Sequence, residues 1–587
     1  IDKTPFTQLN GLLSDHGKPM WPKLRQKYAL HFENLNSQLI SQERVKLRNL
    51  HQQVDMLPVL ETLKNAVCSL VGGTVETISP EAQFRDLGGD SISAVNLATL
   101  LSDIYAINVP VDLLISPGYD LKYISEYIEK ALQTHQSRPS CESTHSLTPF
   151  TYHAKDLQLE HFINPDILHK AHTLNTSPHP AKTILLTGSS GYLGRFLALQ
   201  LLKTLGEQGG TLICVVRAKD IQTASRRFQE SFGRGDSVIS RKVRALSKLH
   251  LEVLAGDIGE PKFGLDEATW ERLSSEVDSI FHAAALVNHL LPYSSLFNAN
   301  VNGTSEIISL ALSHHLKPIV FLSSIAVASL VGAQPTLDED MDIRLAAPVV
   351  EARDTYAVGY GLSKWACEVL LREANSHYGL PVTTFRSSMI LAHSSYPEQL
   401  NIPDMFTRLL LSLVKTGVAP QSFYRQVENE QKPHYDGLPV DFTANAIVRI
   451  GLDQQKNSYR SINLVNSHND GISLDTVVDW LSELGINIRK ISEYADWHQQ
   501  FERKLLALPK SLQQHTSLPL IHSLSEPAEV ISGSKISSKR LQETFQAVSS
   551  DMVTVPHLSK TLIHKYLTDL QSLGLLNQRS LATTKKP

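Results

Sequence analysis

Residues 183–205 read TILLTGSSGYLGRFLALQLLKTL: a short apolar run, a turn holding three glycines, and a long helix-forming stretch. A buried strand running through a tight glycine turn into a helix cannot bury its apolar faces alone. It requires a parallel sheet built from further strand–helix units. The sequence supplies them: LICVVR (212–217), LEVLAGD (251–257), SIFHAAA (279–285), PIVFLSS (318–324) and VTTFRSS (382–388) alternate with helical stretches. Beyond about residue 390 the alternation gives way to helices and loops such as FTRLLLSLVKTG and LDTVVDWLSELG, which predicts a smaller, mainly helical subdomain.

The segment before this core has a different pattern. Residues 55–132 carry apolar side chains at three- and four-residue spacing, in VLETLKNAVCSLVGG and SISAVNLATLLSDIY, punctuated by Gly72-Gly73 and Gly88-Gly89. This reads as a small all-helical bundle. Residues 133–150 are rich in Ser, Thr, His and Pro and read as a linker. The chain of 587 residues is therefore multi-domain: a small all-α bundle, then an α/β doubly wound, Rossmann-type core with a mainly helical C-terminal subdomain. The boundaries expected are 1–50 for a preceding tail and linker, 52–134 for the bundle, 135–175 for the linker, 176–390 for the Rossmann core and 391–580 for the subdomain.

Composition excludes several classes. Hydrophobic residues at 42% with 19% charged are those of a soluble globular chain, and no apolar run reaches the length of a membrane span. The chain begins at Ile1 and reads as a piece of a longer protein. Four scattered cysteines, with no CxxC, fit a reducing cytoplasm and offer neither a disulfide framework nor a zinc site; with no HExxH among the 24 histidines, no metal is expected. The net charge of −4 divides unevenly, because 55–130 holds eleven acidic against four basic residues. That acidity suits either electrostatic docking or a solvated helical surface. No basic face for nucleic acid is present.

In TGSSGYLG, Gly188 suits a tight turn, Gly191 close approach of the backbone to a pyrophosphate, and Gly194 close helix–sheet packing. Gly188, Ser190, Gly191, Tyr192, Leu193 and Gly194 are thus the candidate cofactor loop. The second strand ends in Arg217, with Arg227 ten residues on, where an NAD enzyme carries an acidic residue. Guanidinium groups suit a 2′-phosphate, so NADPH is expected; Asp220 is the acidic alternative. Asp257, closing the third strand, suits either the adenine amino group or a helix N-cap.

Tyr360 and Lys364 form the only YxxxK among 17 tyrosines, on a helical stretch behind a strand ending in Ser323-Ser324. One helical turn places both on one face. The ammonium is expected to draw the phenol toward working pH, so that Tyr360 donates a proton to a carbonyl oxygen with Ser324 as second donor. Ser324 is preferred to Ser323 because strand side chains alternate. Ser91, in LGGDSIS, is either a helix N-cap or a hydroxyl that carries 4′-phosphopantetheine.

NGLLSDHGKPMWPKL, DLGGDSISA, VNHLLPYSSLFNANVNGT, GYGLSKWACEVLLREA, NIPDMFTRLLLSL, HYDGLPVDF and PHLSKTLIHKYLTDLQSLGLL together resemble the carrier and reductase portion of carboxylic acid reductases, adenylation–carrier–reductase proteins. The resemblance implies that 1–50 is the tail of an adenylation domain, with Lys18 its acyl-adenylate lysine. It also implies phosphopantetheine on Ser91, attached by a phosphopantetheinyl transferase, and Arg217 and Arg227 on the 2′-phosphate. Asp257 and Ile258 would lie at the adenine, Ala283, Ala284 and Ala285 behind the cofactor, and Ser324, Tyr360 and Lys364 would be catalytic. Lys364 would also hold the nicotinamide ribose. The implied reaction is NADPH-dependent reduction of an acyl thioester on the chain's own carrier to an aldehyde, supplied by the upstream adenylation domain. The alternatives are a terminal reductase of a peptide synthetase or of aminoadipate type, and a non-catalytic carrier partner that binds NADP(H). One departure stands out: Ser388 occupies the place of an aspartate in the family's RSDM segment, which predicts weaker discrimination between thioester and free aldehyde.

Overall fold

The computed structural model describes Leu12 and residues 58–577, except 73, 106, 108, 116–118, 135–137, 146–149, 178, 234–236, 290, 332–337, 353–357, 426–431, 454–457, 531–535 and 549–553. Lys18 and nearly all of the expected adenylation tail lie outside the described residues. The chain divides into two compact units, Ile1–Ser137 and Arg138–Pro587.

The first unit is the expected helical bundle, with α1 (Val59–Val71), α2 (Ser91–Tyr105), α3 (Val111–Ile115) and α4 (Leu121–Thr134). The apolar periodicity buries Leu63, Val67, Leu97, Leu101, Ile124 and Ile128. The paired glycines before α2 have separate causes. Gly88 takes φ +98°, which favours glycine, and a Cβ on Gly89 would lie 2.3 Å from the buried Phe84 ring.

The second unit is organised by a seven-stranded parallel sheet: β1 (Thr183–Thr187), β2 (Thr211–Val216), β3 (Leu251–Ala255), β4 (Ser279–His282), β5 (Ile319–Ser324), β6 (Val382–Ser387) and β7 (Tyr459–Leu464). The spatial order is β3-β2-β1-β4-β5-β6-β7, so the winding reverses between β1 and β4. A doubly wound sheet opens its ligand crevice at that switch point, beyond the carboxyl ends of the strands. The helices that matter to the site are α5 (Tyr192–Gln208), α6 (Ile221–Glu230) and α7 (Val358–Tyr378). Near-continuous burial along β1, β2, β4 and β6 explains why these strands read as unbroken apolar runs.

Two features differ from the sequence reading. The segment expected as a linker over 135–175 is built into the second unit from Arg138 onward. Thr151–His153 pairs antiparallel with Val349–Glu351, and Leu157, Leu159, Ile163 and Leu168 are buried. Its polar composition marked loop backbone but not these spaced apolar anchors. Second, Tyr459–Leu464, in the stretch expected as a mainly helical subdomain, returns as the edge strand β7 beside β6. Its Ile462 and Leu464 pack into the sheet's core, while a separate core gathers Leu409, Leu410, Trp497, Phe501, Ile563 and Tyr566, the body of the C-terminal subdomain. No helix among the described residues is long and apolar enough to cross a membrane.

Candidate active site

The glycine loop joins β1 to α5. Gly188 has φ +77°, and a Cβ there would lie 2.6 Å from Ala284 N; one on Gly194 would lie 1.9 Å from Gly188 O. Both are forced by the protein's own backbone. Gly191 is different: it is exposed at the start of α5, and its Cβ would meet only Gly188 O, at 3.2 Å. The loop thus leaves open backbone at a helix N-terminus, which suits a pyrophosphate. The approach of Gly188 to Ala283 and Ala284 brings two of the expected cofactor segments together; Ala285 follows them on the partly buried stretch after β4. Ser190 lies in the turn and Leu193 is buried. The Tyr192 side chain turns elsewhere: its hydroxyl lies 3.0 Å from both Leu391 O and Gln399 O, tying the loop to the segment after β6.

At the end of β2, Arg217 Nε lies 3.2 Å from Asp257 Oδ2, and Arg227 donates to the Arg217 carbonyl. Asp257 also accepts from Gly259 N at 2.9 Å, forming a turn at the end of β3 beside the buried Ile258 rather than capping a regular helix. Asp220, the acidic alternative, caps α6 by accepting from Thr223 N at 2.7 Å. The loop with exposed Gly191, and two guanidinium groups at the end of β2, fit a phosphorylated dinucleotide.

The strand alternation separates the two serines of β5. Ser323 is buried and donates to Glu368 Oε1 at 2.5 Å. Ser324 Oγ accepts from Ala326 N at 3.2 Å and keeps its own proton to donate. Tyr360 and Lys364 lie one turn apart on α7, as their spacing requires. Lys364 Nζ donates to Leu322 O at 2.8 Å and sits 4.8 Å from the Phe321 ring centre and 5.9 Å from that of Tyr360. The expectation that Lys364 draws the phenol down is not met. Burial pushes Tyr360 upward and Lys364 down to about 8, and one donor of the ammonium is taken by the Leu322 carbonyl. A phenol that stays protonated suits a proton donor rather than a base.

Sequence reasoning missed His289, whose ring meets that of Tyr360 edge-on, with centres 5.3 Å apart and planes at 87°. Burial holds it below the ordinary histidine range. A lone histidine in VNHLLPY carries no spacing signal. It also missed the buried Glu368–Arg386 pair, 2.8 Å apart, which ties α7 to β6. Ser388 follows β6, with its hydroxyl buried beside the Asp436 carboxyl, which burial pushes up to about 6. No cluster of potential metal ligands occurs among the described residues.

In the first unit Ser91 is the first residue of α2. The capping role falls to Asp90, whose carboxylate accepts from Ser93 N at 2.8 Å while Ser93 Oγ accepts from Asp90 N at 2.7 Å.

The match to known proteins follows the two units. Residues 61–127 match the phosphopantetheine attachment site family and 186–447 the NAD-binding family described as male sterility protein. A carboxylic acid reductase of Segniliparus rugosus is 45% identical over 580 residues, covering 98% of this chain and 49% of the relative. One from Mycobacterium tuberculosis is 44% identical over 583 residues, covering 98% and 50%. The chain spans about half the length of these curated relatives. Among solved structures, the reductase domain of a nonribosomal peptide synthetase from Mycobacterium tuberculosis is 43% identical, covers 73% of this chain and 100% of that one, and has a TM-score of 0.67. Carrier and reductase signatures thus follow in one chain, with a nicotinamide nucleotide and phosphopantetheine as the groups they take. The chain belongs to the carboxylic acid reductase family and is the counterpart of its carrier and reductase portions.

Proposed function

We propose that this chain reduces an acyl thioester, carried on phosphopantetheine at Ser91, to an aldehyde. The observation that carries the reading is a buried Tyr360 one turn from Lys364 on α7, with Ser324 at the carboxyl end of β5, in the same chain as a carrier helix that starts at Ser91. Bound NADPH supplies the hydride. The protein's own groups do the rest. Tyr360 donates its proton to the carbonyl oxygen and Ser324 donates a hydrogen bond to the charge developing there. The carbon–sulfur bond then breaks, the hydroxyl proton passes to sulfur, and aldehyde leaves the pantetheine thiol behind. Lys364 holds the ribose side of the cofactor from the same helix face. The open Gly191 backbone takes the pyrophosphate, Arg217 and Arg227 the 2′-phosphate, Asp257 and Ile258 the adenine edge, and the Ala283–Ala285 stretch backs the ring. An upstream adenylation domain would supply the acyl group and a phosphopantetheinyl transferase the arm.

Ser388 is the gating position in this reading. With a hydroxyl rather than a second carboxyl beside Asp436, the segment after β6 orders the site less selectively for thioester, and some aldehyde is reduced further to alcohol. The likeness to a peptide-synthetase reductase domain favours a second reading, in which the thioester is aminoacyl or peptidyl. Acyl- and aminoacyl-pantetheine thioesters offered with NADPH separate the two. NADPH oxidised in step with aldehyde plus twice the alcohol from the acyl thioester supports the proposal, and absence of turnover on both contradicts it.

A further inference from the structure

Glu368 sits two turns along α7 from Tyr360 and one from Lys364, fully buried. Three groups hold its carboxylate: Ser323 Oγ donates at 2.5 Å, and Arg386 donates through Nη2 at 2.8 Å and Nε at 3.2 Å. Burying such a pair gains little net stability against two apolar residues, because both ions lose their hydration. Its position is informative. It joins three elements that must agree on one geometry: β5, ending in Ser324, α7, carrying Tyr360 and Lys364, and β6, leading into Ser388.

The charges around Lys364 are sparse. On its own helix lie Tyr360 and Cys367, both kept protonated by burial, and Glu368. From β4 comes His282, held neutral by burial, and from β5 the Leu322 carbonyl and the Phe321 ring; Arg386 faces Glu368 from β6. Desolvation disfavours the charged ammonium there, Cys367 and Glu368 favour it, and of the two Glu368 is the carboxylate.

We propose that Glu368 is a positioning residue of the reductase: it locks the Tyr360–Lys364 helix to the strand of Ser324 and places a carboxylate one turn along that helix from Lys364. The inference rests on the catalytic reading above, and its test does not depend on turnover. In chain labelled with 13Cε-lysine, with the Lys364 signal assigned by Lys364→Arg, the ammonium is titrated directly. Glu368→Gln lowers the Lys364 midpoint by roughly one pH unit, and Glu368→Asp restores most of it. The alkaline limb of kcat moves down in parallel, with KM for NADPH unchanged. Should Glu368→Gln fail to fold because it strands the Arg386 cation, the double variant Glu368→Gln with Arg386→Met removes both charges and gives the same reading. An unmoved Lys364 midpoint, a uniform loss of rate with the limb in place, or failure of both variants to fold would make the pair a scaffold only and overturn the proposal. A parent chain that titrates normally yet reduces no thioester contradicts the catalytic reading instead.

Discussion

Arg217 and Asp257 form an ion pair, Nε 3.2 Å from Oδ2, although the sequence suits one to a 2′-phosphate and the other to an adenine edge. On the proposed reading the two ends of the adenosine site share a charge balance, and Arg217 would divide its donors between the Asp257 carboxylate and the 2′-phosphate.

Arg217→Ala is expected to weaken NADPH binding about 10- to 100-fold, the worth of a charge-assisted contact, and to leave NADH binding nearly unchanged. Titrating both nucleotides against the variant by cofactor fluorescence checks this. Equal losses for the two would show that Arg217 shapes the fold rather than reading the phosphate.

The glycines of the loop differ in kind. Gly194→Ala forces a Cβ to within 1.9 Å of Gly188 O and is expected to abolish nucleotide binding and lower the Tm. Gly191→Ala meets only Gly188 O at 3.2 Å, so it should keep the Tm near that of the parent while weakening NADPH. Thermal unfolding with and without NADPH distinguishes the two variants.

Tyr360→Phe removes the proton donor and keeps the packing against His289. Aldehyde formation is expected to fall by about 10²- to 10⁴-fold, with NADPH binding intact. A rate near that of the parent chain would assign proton donation to Ser324 or to water.

The sheet, the glycine loop and the Tyr360–Lys364 turn were legible in the sequence because each is local: an apolar run, a spacing, one helical turn. What was not legible is long-range. Glu368 and Arg386 lie 18 positions apart on different elements, and neither residue type signals burial. The short edge strand Tyr459–Leu464 carries Arg460, Ser461 and Asn463, polar residues that the fold buries, so its run does not read as apolar. The rise of the Tyr360 phenol was misjudged because desolvation depends on what packs around the ring, and a YxxxK spacing reports only the nearby cation.

His282 lies at the switch point, its ring nitrogens 2.8 Å from Thr187 Oγ1 and 3.2 Å from Thr304 Oγ1, and burial holds it down to about 3. At neutral pH it is uncharged in folded and unfolded chains alike. As pH falls from 6.5 toward 3, the unfolded chain takes up a proton that the folded one refuses, so stability is lost across that window. The slope is about 1 kcal/mol per pH unit from this group. Denaturant midpoints for the parent and His282→Gln between pH 7 and 4.5 are expected to converge as pH falls; parallel curves would mean that His282 is protonated in the fold.

The central claim is that the carrier feeds the reductase. Ser91 is loaded with an acyl-phosphopantetheine from an acyl-CoA by a phosphopantetheinyl transferase, NADPH is added, and cofactor oxidation and product are followed together. The account predicts aldehyde plus twice the alcohol matching the NADPH oxidised, with neither product from Ser91→Ala, and an alcohol fraction that shrinks in Ser388→Asp. A verified loaded carrier that oxidises no NADPH would contradict it.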